Sequence, residues 1–215
     1  MASDENVVYK EAEEAYSHVS QITLLIDDCI AEADVTYSDL DAVAISGGPG
    51  SYTGLRVGTS TAKGICFAQD IPLISLNTLR VIGDNLIREE ASNPKALYIP
   101  VIDARRDEVY LAGFNRNLEQ IMVDQAYILQ EDSFALLTKE YDQIIIGGDA
   151  AIKSSNILAD KGFVYRQMVI EACHMSYLAI EAFRGQDFVD LGSYTPHYIK
   201  PPNITVSKKQ FFRKN

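Results

Sequence analysis

Cysteine is scarce. The 215-residue chain has three, Cys29, Cys66 and Cys173, far apart and odd in number. That excludes a disulfide framework and a CxxC metal site, and predicts free thiols in a reducing compartment. Long apolar runs are also missing: none approaches the roughly 18 residues of a spanning helix, so no membrane is expected. The opening MASDENVVYKEAEEAYSH carries neither the basic nor the apolar stretch of a secretory leader, and a cytoplasmic protein is the expectation. Basic residues are in deficit, 19 Lys and Arg against 30 Asp and Glu, for a formal net charge of -11. A surface of that sign repels a phosphate backbone, which disfavours unaided nucleic-acid binding. Histidine is rare too, and neither His174 nor His197 has a carboxylate or cysteine at an obvious ligand spacing, so no metal site held by side chains is expected.

What remains is an ordinary globular composition, 47% hydrophobic and 23% charged. From Tyr16 to Ala33 apolar residues recur every three or four positions, which predicts an amphipathic helix with Ser17 or Ser20 as its cap. DAVAIS (Asp41 to Ser46) reads as a strand, Leu55 to Gln69 as a helix, IPLISL as a strand, and a helix runs to Ala91 with Thr78 as cap. After the break SNPK, the apolar LYIPVID and EVYLAGF are joined by the short charged turn ARRD and must pair antiparallel. DQIIIGG is another strand, Ala150 to Asp160 and Ala172 to Gly185 are helices, and from Tyr194 the chain is irregular. The alternation predicts an α/β protein with two lobes, each on a mixed sheet: residues 1–95, residues 96–190, and a tail over 191–215. DAVAISGG and DQIIIGGD share one order, an acidic residue, an apolar strand, paired glycines and a helix.

The stretch after the first of these strands, Gly47-Gly48-Pro49-Gly50-Ser51-Tyr52-Thr53-Gly54, is a candidate phosphate or nucleotide loop. A glycine-rich turn feeding a helix N-terminus presents unpaired N–H groups and a favourable dipole to an anion. Gly147, Gly148 and Asp149 are the matching candidates in the second unit. Two familiar phosphate motifs fail. The nearest lysine, Lys63, lies well inside the helix, where a P-loop lysine cannot be. Gly48-Pro49-Gly50 is followed by Gly54, one residue too far for a dinucleotide fingerprint, and the next strand ends at Asn77 with no acid. The glycines can equally serve close packing, and that alternative stays open.

SGGPGSYTGLRVGTSTAKG, followed by IPLISLNTL, VIDARRDEVYLAGF, GGDA and PHYIK in that order, resembles the TsaB (YeaZ) family over roughly Tyr16 to Lys200. The resemblance implies a two-lobed actin-like fold of the ASKHA, ribonuclease H-like type. The usual opening strand hairpin is not seen ahead of Tyr16, so an incomplete N-terminal lobe is expected. It further implies a non-catalytic dimerisation subunit in tRNA N6-threonylcarbamoyladenosine modification, partnered by the transferase TsaD and the ATPase TsaE, pairing with itself when alone and meeting tRNA only inside the complex. No cofactor is certain, with weak or shared ADP or ATP at a subunit interface as the one implied possibility. No catalytic residue is assigned. A TsaD-like metal centre uses two histidines four apart on the first helix, and here His18 is followed by Ile22.

The family assembles through helices of the first lobe, which makes His18, Ile22, Leu25, Ile26, Cys29, Arg56, Thr59, Ala62, Lys63 and Cys66 the candidate partner interface. Small residues on adjacent helices permit tight docking between chains, and Arg56, read as lying in the first turn, opposes the helix dipole. Arg105 and Arg106 at the hairpin tip, and the basic run Lys208, Lys209, Arg213 and Lys214, are solvated charges or contacts to a partner or RNA. The competing readings are an actin-like ATPase or kinase, with Asp149 as its Mg²⁺ ligand, and a glycoprotease-like metallopeptidase, opposed by the lack of HExxH.

Overall fold

The computed structural model describes residues 1, 7–12, 18–90, 93–159 and 162–201, with side chains in the first helix from residue 21. In chain order the elements are α1 (His18–Glu32), a 3₁₀ turn (Tyr37–Asp39), β1 (Val43–Ser46), α2 (Tyr52–Gln69), β2 (Leu73–Leu76), α3 (Thr78–Glu90), β3 (Ala96–Asp103), β4 (Glu108–Phe114) and β5 (Gln120–Ile128). They continue with β6 (Gln143–Gly148), α4 (Ala151–Ile157), β7 (Val164–Gln167) and α5 (Ser176–Arg184). Ser17 and the basic residues Lys208 to Lys214 lie outside the described residues.

Local chemistry sets the helix ends. Ser51 Oγ accepts from the Gly54 amide at 3.3 Å and starts α2 at Tyr52, three residues earlier than expected. Arg56 therefore sits in the second turn, past the region where a cation opposes the dipole most strongly. Asp70, left-handed at φ 53, ends the helix with its N–H on the Cys66 carbonyl. Asn77, not Thr78, caps α3: its Oδ1 accepts from the Arg80 amide at 3.0 Å. Thr78 is already helical and buried, its hydroxyl 2.6 Å from Ser46 Oγ.

Among the described residues the strands form two sheets. β1 and β2 pair in parallel, Val43 beside Leu73 through Ser46 beside Leu76. This first sheet is parallel rather than mixed, apart from one antiparallel bridge between Leu73 and Val189. The second sheet has the order β5-β4-β3-β6-β7, and here the mixed topology holds: β3–β4 and β4–β5 are antiparallel, β3–β6 and β6–β7 parallel. β3 is covered on both faces, which its nearly unbroken apolar run requires. Leu97, Ile99 and Val101 point to the α4 side with Ile144, Ile146 and Ala151. Ala96, Tyr98 and Ile102 point to α3, against Leu79, Ile82 and Leu86. Each of the Leu, Ile and Val side chains among them contributes about 1.5–3 kcal/mol by burial.

Two helices cross between the expected lobes. α3 gives Leu79, Ile82 and Leu86 to the second sheet and Val81 to the cluster over β2. α5, expected in the second lobe, packs Leu178 beside Ile74 and Leu76 of the first sheet and Val81 of α3. A strap from Gln186 to Lys200 then runs back over both sheets without regular structure.

Candidate functional site

The first glycine loop leaves β1 with both backbone groups of Gly47 and the Gly48 carbonyl engaged. Gly47 donates its N–H to the Leu76 carbonyl at 2.7 Å, and Gly48 accepts from the Thr78 amide at 2.9 Å. The Gly47 carbonyl accepts from the His197 amide of the strap at 2.7 Å. Gly48 has φ +107, and a Cβ there would stand 2.4 Å from the His197 carbonyl oxygen. The glycine is needed so that the chain's own backbone can approach. The strap is held around this point by Tyr194, whose hydroxyl lies 2.7 Å from Ser75 Oγ and whose carbonyl accepts from Lys63 Nζ at 2.9 Å. Tyr198 packs its ring 5.2 Å from that of Tyr52 at the start of α2. Pro49 is buried, whereas Ser51, Tyr52, Thr53 and Gly54 are exposed and Gly50 borders open space.

The second loop is filled from nearer by. Gly148 has φ +133, and a Cβ there would lie 2.1 Å from the Val101 carbonyl oxygen of β3. Gly147 is buried beside it against Leu86. The Asp149 carboxylate accepts from the Asp103 amide at 2.8 Å, and its carbonyl accepts from Gln167 Nε2 at 2.9 Å. Desolvation pushes the Asp149 carboxyl above the usual carboxylate range. Partial burial acts on Asp103 in the same sense, but Lys153 at 2.7 Å and the Arg105 amide hold that carboxyl below its usual range. Asp149, the candidate Mg²⁺ ligand of the kinase reading, thus spends one oxygen clasping the backbone of β3. Arg105 and Arg106 are exposed at the hairpin tip, both left-handed with φ 72 and 51.

The expected interface divides into two sides. Thr59, Ala62 and Cys66 are 8%, 3% and 1% exposed, and the last two pack with Leu73 beneath α2. They belong to the chain's own core, because α2 must cover the first sheet, and a partner cannot reach them without opening the fold. Burial accordingly pushes the Cys66 thiol up. Lys63 is directed to the strap, and Arg56 donates to Tyr52 Oη at 2.9 Å on the exposed side. On α1, Ile22, Leu25, Ile26 and Cys29 are only half-buried, while the side chain of His18 lies outside the described residues.

Sequence reasoning missed the most exposed apolar groups of this face. Phe67 of α2 is 83% exposed and Leu24 of α1 61%. Between the helices and the 3₁₀ turn lies a groove of about 320 Å³ whose walls include Ile26, Tyr37, Ser60, Gly64, Ile65 and Ala68. The Tyr37 hydroxyl donates to Asp27 Oδ1 at 2.7 Å, and that bond, with some burial, pushes the phenol up to about 12. The available signal was the spacing 56, 60, 64, 67 along α2, one helical stripe opposite the buried 59, 62, 66.

A further correction concerns His174. Glu171, Cys173 and His174 do converge, their potential ligand atoms within 4.8 Å of one another. His174 Nδ1 accepts from the Glu171 amide at 3.0 Å, and the Cys173 thiol donates to Glu171 Oε2 at 3.5 Å. Burial and that carboxylate push the thiol up. The trio caps the turn Ala172–Met175, and a metal would have to break both bonds.

This arrangement has known relatives. The family model described as TsaD, tRNA N6-adenosine threonylcarbamoyltransferase, matches residues 7–184. The chain belongs to the TsaD family. Within that family it is TsaB/YeaZ-like. It is 28% identical over 166 residues to the tRNA threonylcarbamoyladenosine biosynthesis protein TsaB of Bacillus subtilis, covering 74% of this chain and 69% of that protein. To the protein of the same name from Escherichia coli it is 31% identical over 100 residues, 46% of this chain and 42% of that one. YeaZ from Pseudomonas aeruginosa superposes with a TM-score of 0.66 at 22% identity, covering 86% of each chain, which shows the shared fold. The TsaD-type fold with its mixed α/β content is consistent with the actin-like architecture that the sequence resemblance implied. No described helix is long and apolar enough to cross a membrane.

Proposed function

We propose that this chain is a non-catalytic TsaB-type subunit of the tRNA N6-threonylcarbamoyladenosine machinery, and that it works by holding a TsaD-type transferase through the outer face of α1 and α2. The names borne by its relatives support the pathway. The observation that carries the mode of action is the pair Phe67 and Leu24, large apolar side chains exposed on α2, which covers the first sheet, and on α1, which packs against α2. Exposed apolar surface of this kind marks protein docking, and aromatic groups at such a site contribute most of the affinity. The transferase is a distant copy of the same fold, so the same face serves a homodimer when the chain is alone. An ATPase subunit of the TsaE type, and tRNA itself, belong to the assembled complex, and the cytoplasm is its compartment. Any nucleotide is weakly held or shared at a subunit boundary, since the strap occupies the first glycine loop.

The test is complex formation with a purified TsaD-type partner, measured by calorimetry for the parent chain and for Phe67→Arg and Leu24→Asp. Both side chains are exposed, so both variants fold. A loss of affinity of about 30-fold or more is expected from either, at about 2 kcal/mol per central contact. Unchanged affinity in both variants overturns the interface. ATP turnover by the lone chain overturns the non-catalytic assignment.

A further inference from the structure

The strap has anchors on both sheets. On the second sheet Lys200 pairs with Glu108 at the start of β4, His197 Nε2 lies 3.4 Å from Asp124 Oδ2 on β5, and Ile199 packs against the core cluster between α3 and the sheet. Asp124 is itself held by Asn77, the cap of α3, and by Gln120 at 2.7 Å. On the first sheet the anchors are backbone and packing contacts: the His197 amide on Gly47, the Tyr194 hydroxyl beside Ser75, the Tyr194 carbonyl on Lys63, and Tyr198 against Tyr52. His197 belongs to both groups, because its side chain faces β5 while its backbone fills the glycine loop.

We propose that residues 190–200 form a latch through which the Lys200–Glu108 pair on the second sheet controls the first glycine loop and the first turn of α2. A latch of this form is a few residues of irregular chain whose attachment at one end fixes the register at the other. Three peptide units separate Lys200 from His197, about 10 Å of extended chain, so losing the ion pair loosens the segment that carries both Tyr198 and the His197 amide, leaving it held on that side by Ile199 and the His197 side chain. The Gly47 carbonyl then turns to water, Tyr52 loses its aromatic neighbour, and the start of α2 frays. Local opening of this kind lies at the low end of the stability spectrum and does not require global unfolding. The inference goes beyond the partner reading and is tested on the lone chain.

The experiment is native-state amide hydrogen exchange on the full chain, comparing the parent, Lys200→Glu, Lys200→Ala and the charge swap Lys200→Glu with Glu108→Lys. In Lys200→Glu the amides of His197 and Leu55 are expected to exchange roughly tenfold faster, with a smaller increase in Lys200→Ala. The swap restores protection towards the parent, and the buried amides of β3 remain protected in all four proteins. The proposal is overturned if His197 and Leu55 keep their protection in both single variants. It is also overturned if faster exchange is confined to the residues next to position 200, or if the swap leaves the loop as open as the single variant does.

Discussion

The two glycine loops begin alike in sequence and end as different devices. Each follows an apolar strand, and each has a glycine at positive φ where a Cβ would strike a backbone carbonyl oxygen. At Gly148 the oxygen belongs to Val101, in the central strand β3, fixed on both faces by core side chains. At Gly48 it belongs to His197, in a strap with no regular structure that has come from nearly 150 residues further along the chain. The same residue type thus serves an immovable contact in one loop and a movable one in the other. The lesson concerns glycine motifs generally: a strand–glycine–helix pattern reports that something approaches the backbone closely, and the approaching group can be the protein itself.

The sharpest way to break this comparison is Gly148→Ala. The new methyl group meets Val101 and the backbone is strained, so a loss of about 3 kcal/mol is expected in urea unfolding. Gly48→Ala is expected to cost less, about 2 kcal/mol, because the strap can retreat, and faster exchange of the His197 amide should accompany it. If Gly48→Ala proves as costly as Gly148→Ala, the strap is as rigid as the sheet and the contrast fails.

A smaller effect distinguishes the loops by charge. The Asp149 carboxyl is raised above its ordinary range by desolvation, so ionising it weakens the folded state. That penalty is absent below the unfolded pKa and develops as pH rises through the folded one. Asp149→Asn keeps an oxygen for the Asp103 amide and should be more stable than the parent at neutral pH, the advantage vanishing as pH falls below the usual carboxylate range. An advantage that grows in acid would show the sign to be wrong. The smallest change is Gly50→Ala, in the same loop as Gly48 but facing open space. It should stabilise by about 0.5 kcal/mol through the unfolded chain alone, and a large loss there would reveal a ligand or contact not accounted for by the strap.

Most long elements were legible from periodicity, including the helix stripe of α1, the β3–β4 hairpin and the buried β6. β5 was not, because QIMVDQAYI interrupts its apolar residues with polar ones, as an edge strand with a mixed environment does. β7 has only four residues and no pattern to read. The outer face of α2 was half legible. Helical spacing separates two sides of α2 but does not say which side meets β2, and the small residues Ala62 and Cys66 proved to be the inner one. Small side chains suit tight packing within a chain as well as between chains, so their size alone does not decide.

By itself the amino-acid order determined the strand–helix alternation, the family and the places where the backbone had to be glycine, because these rest on local periodicity and on steric rules that hold residue by residue. Only the tertiary structure decided what fills each glycine loop, which side of α2 is exposed and how the strap ties the two sheets. Those outcomes depend on groups far apart in the chain, brought together by the burial of the two sheets, and no local rule carries that distance.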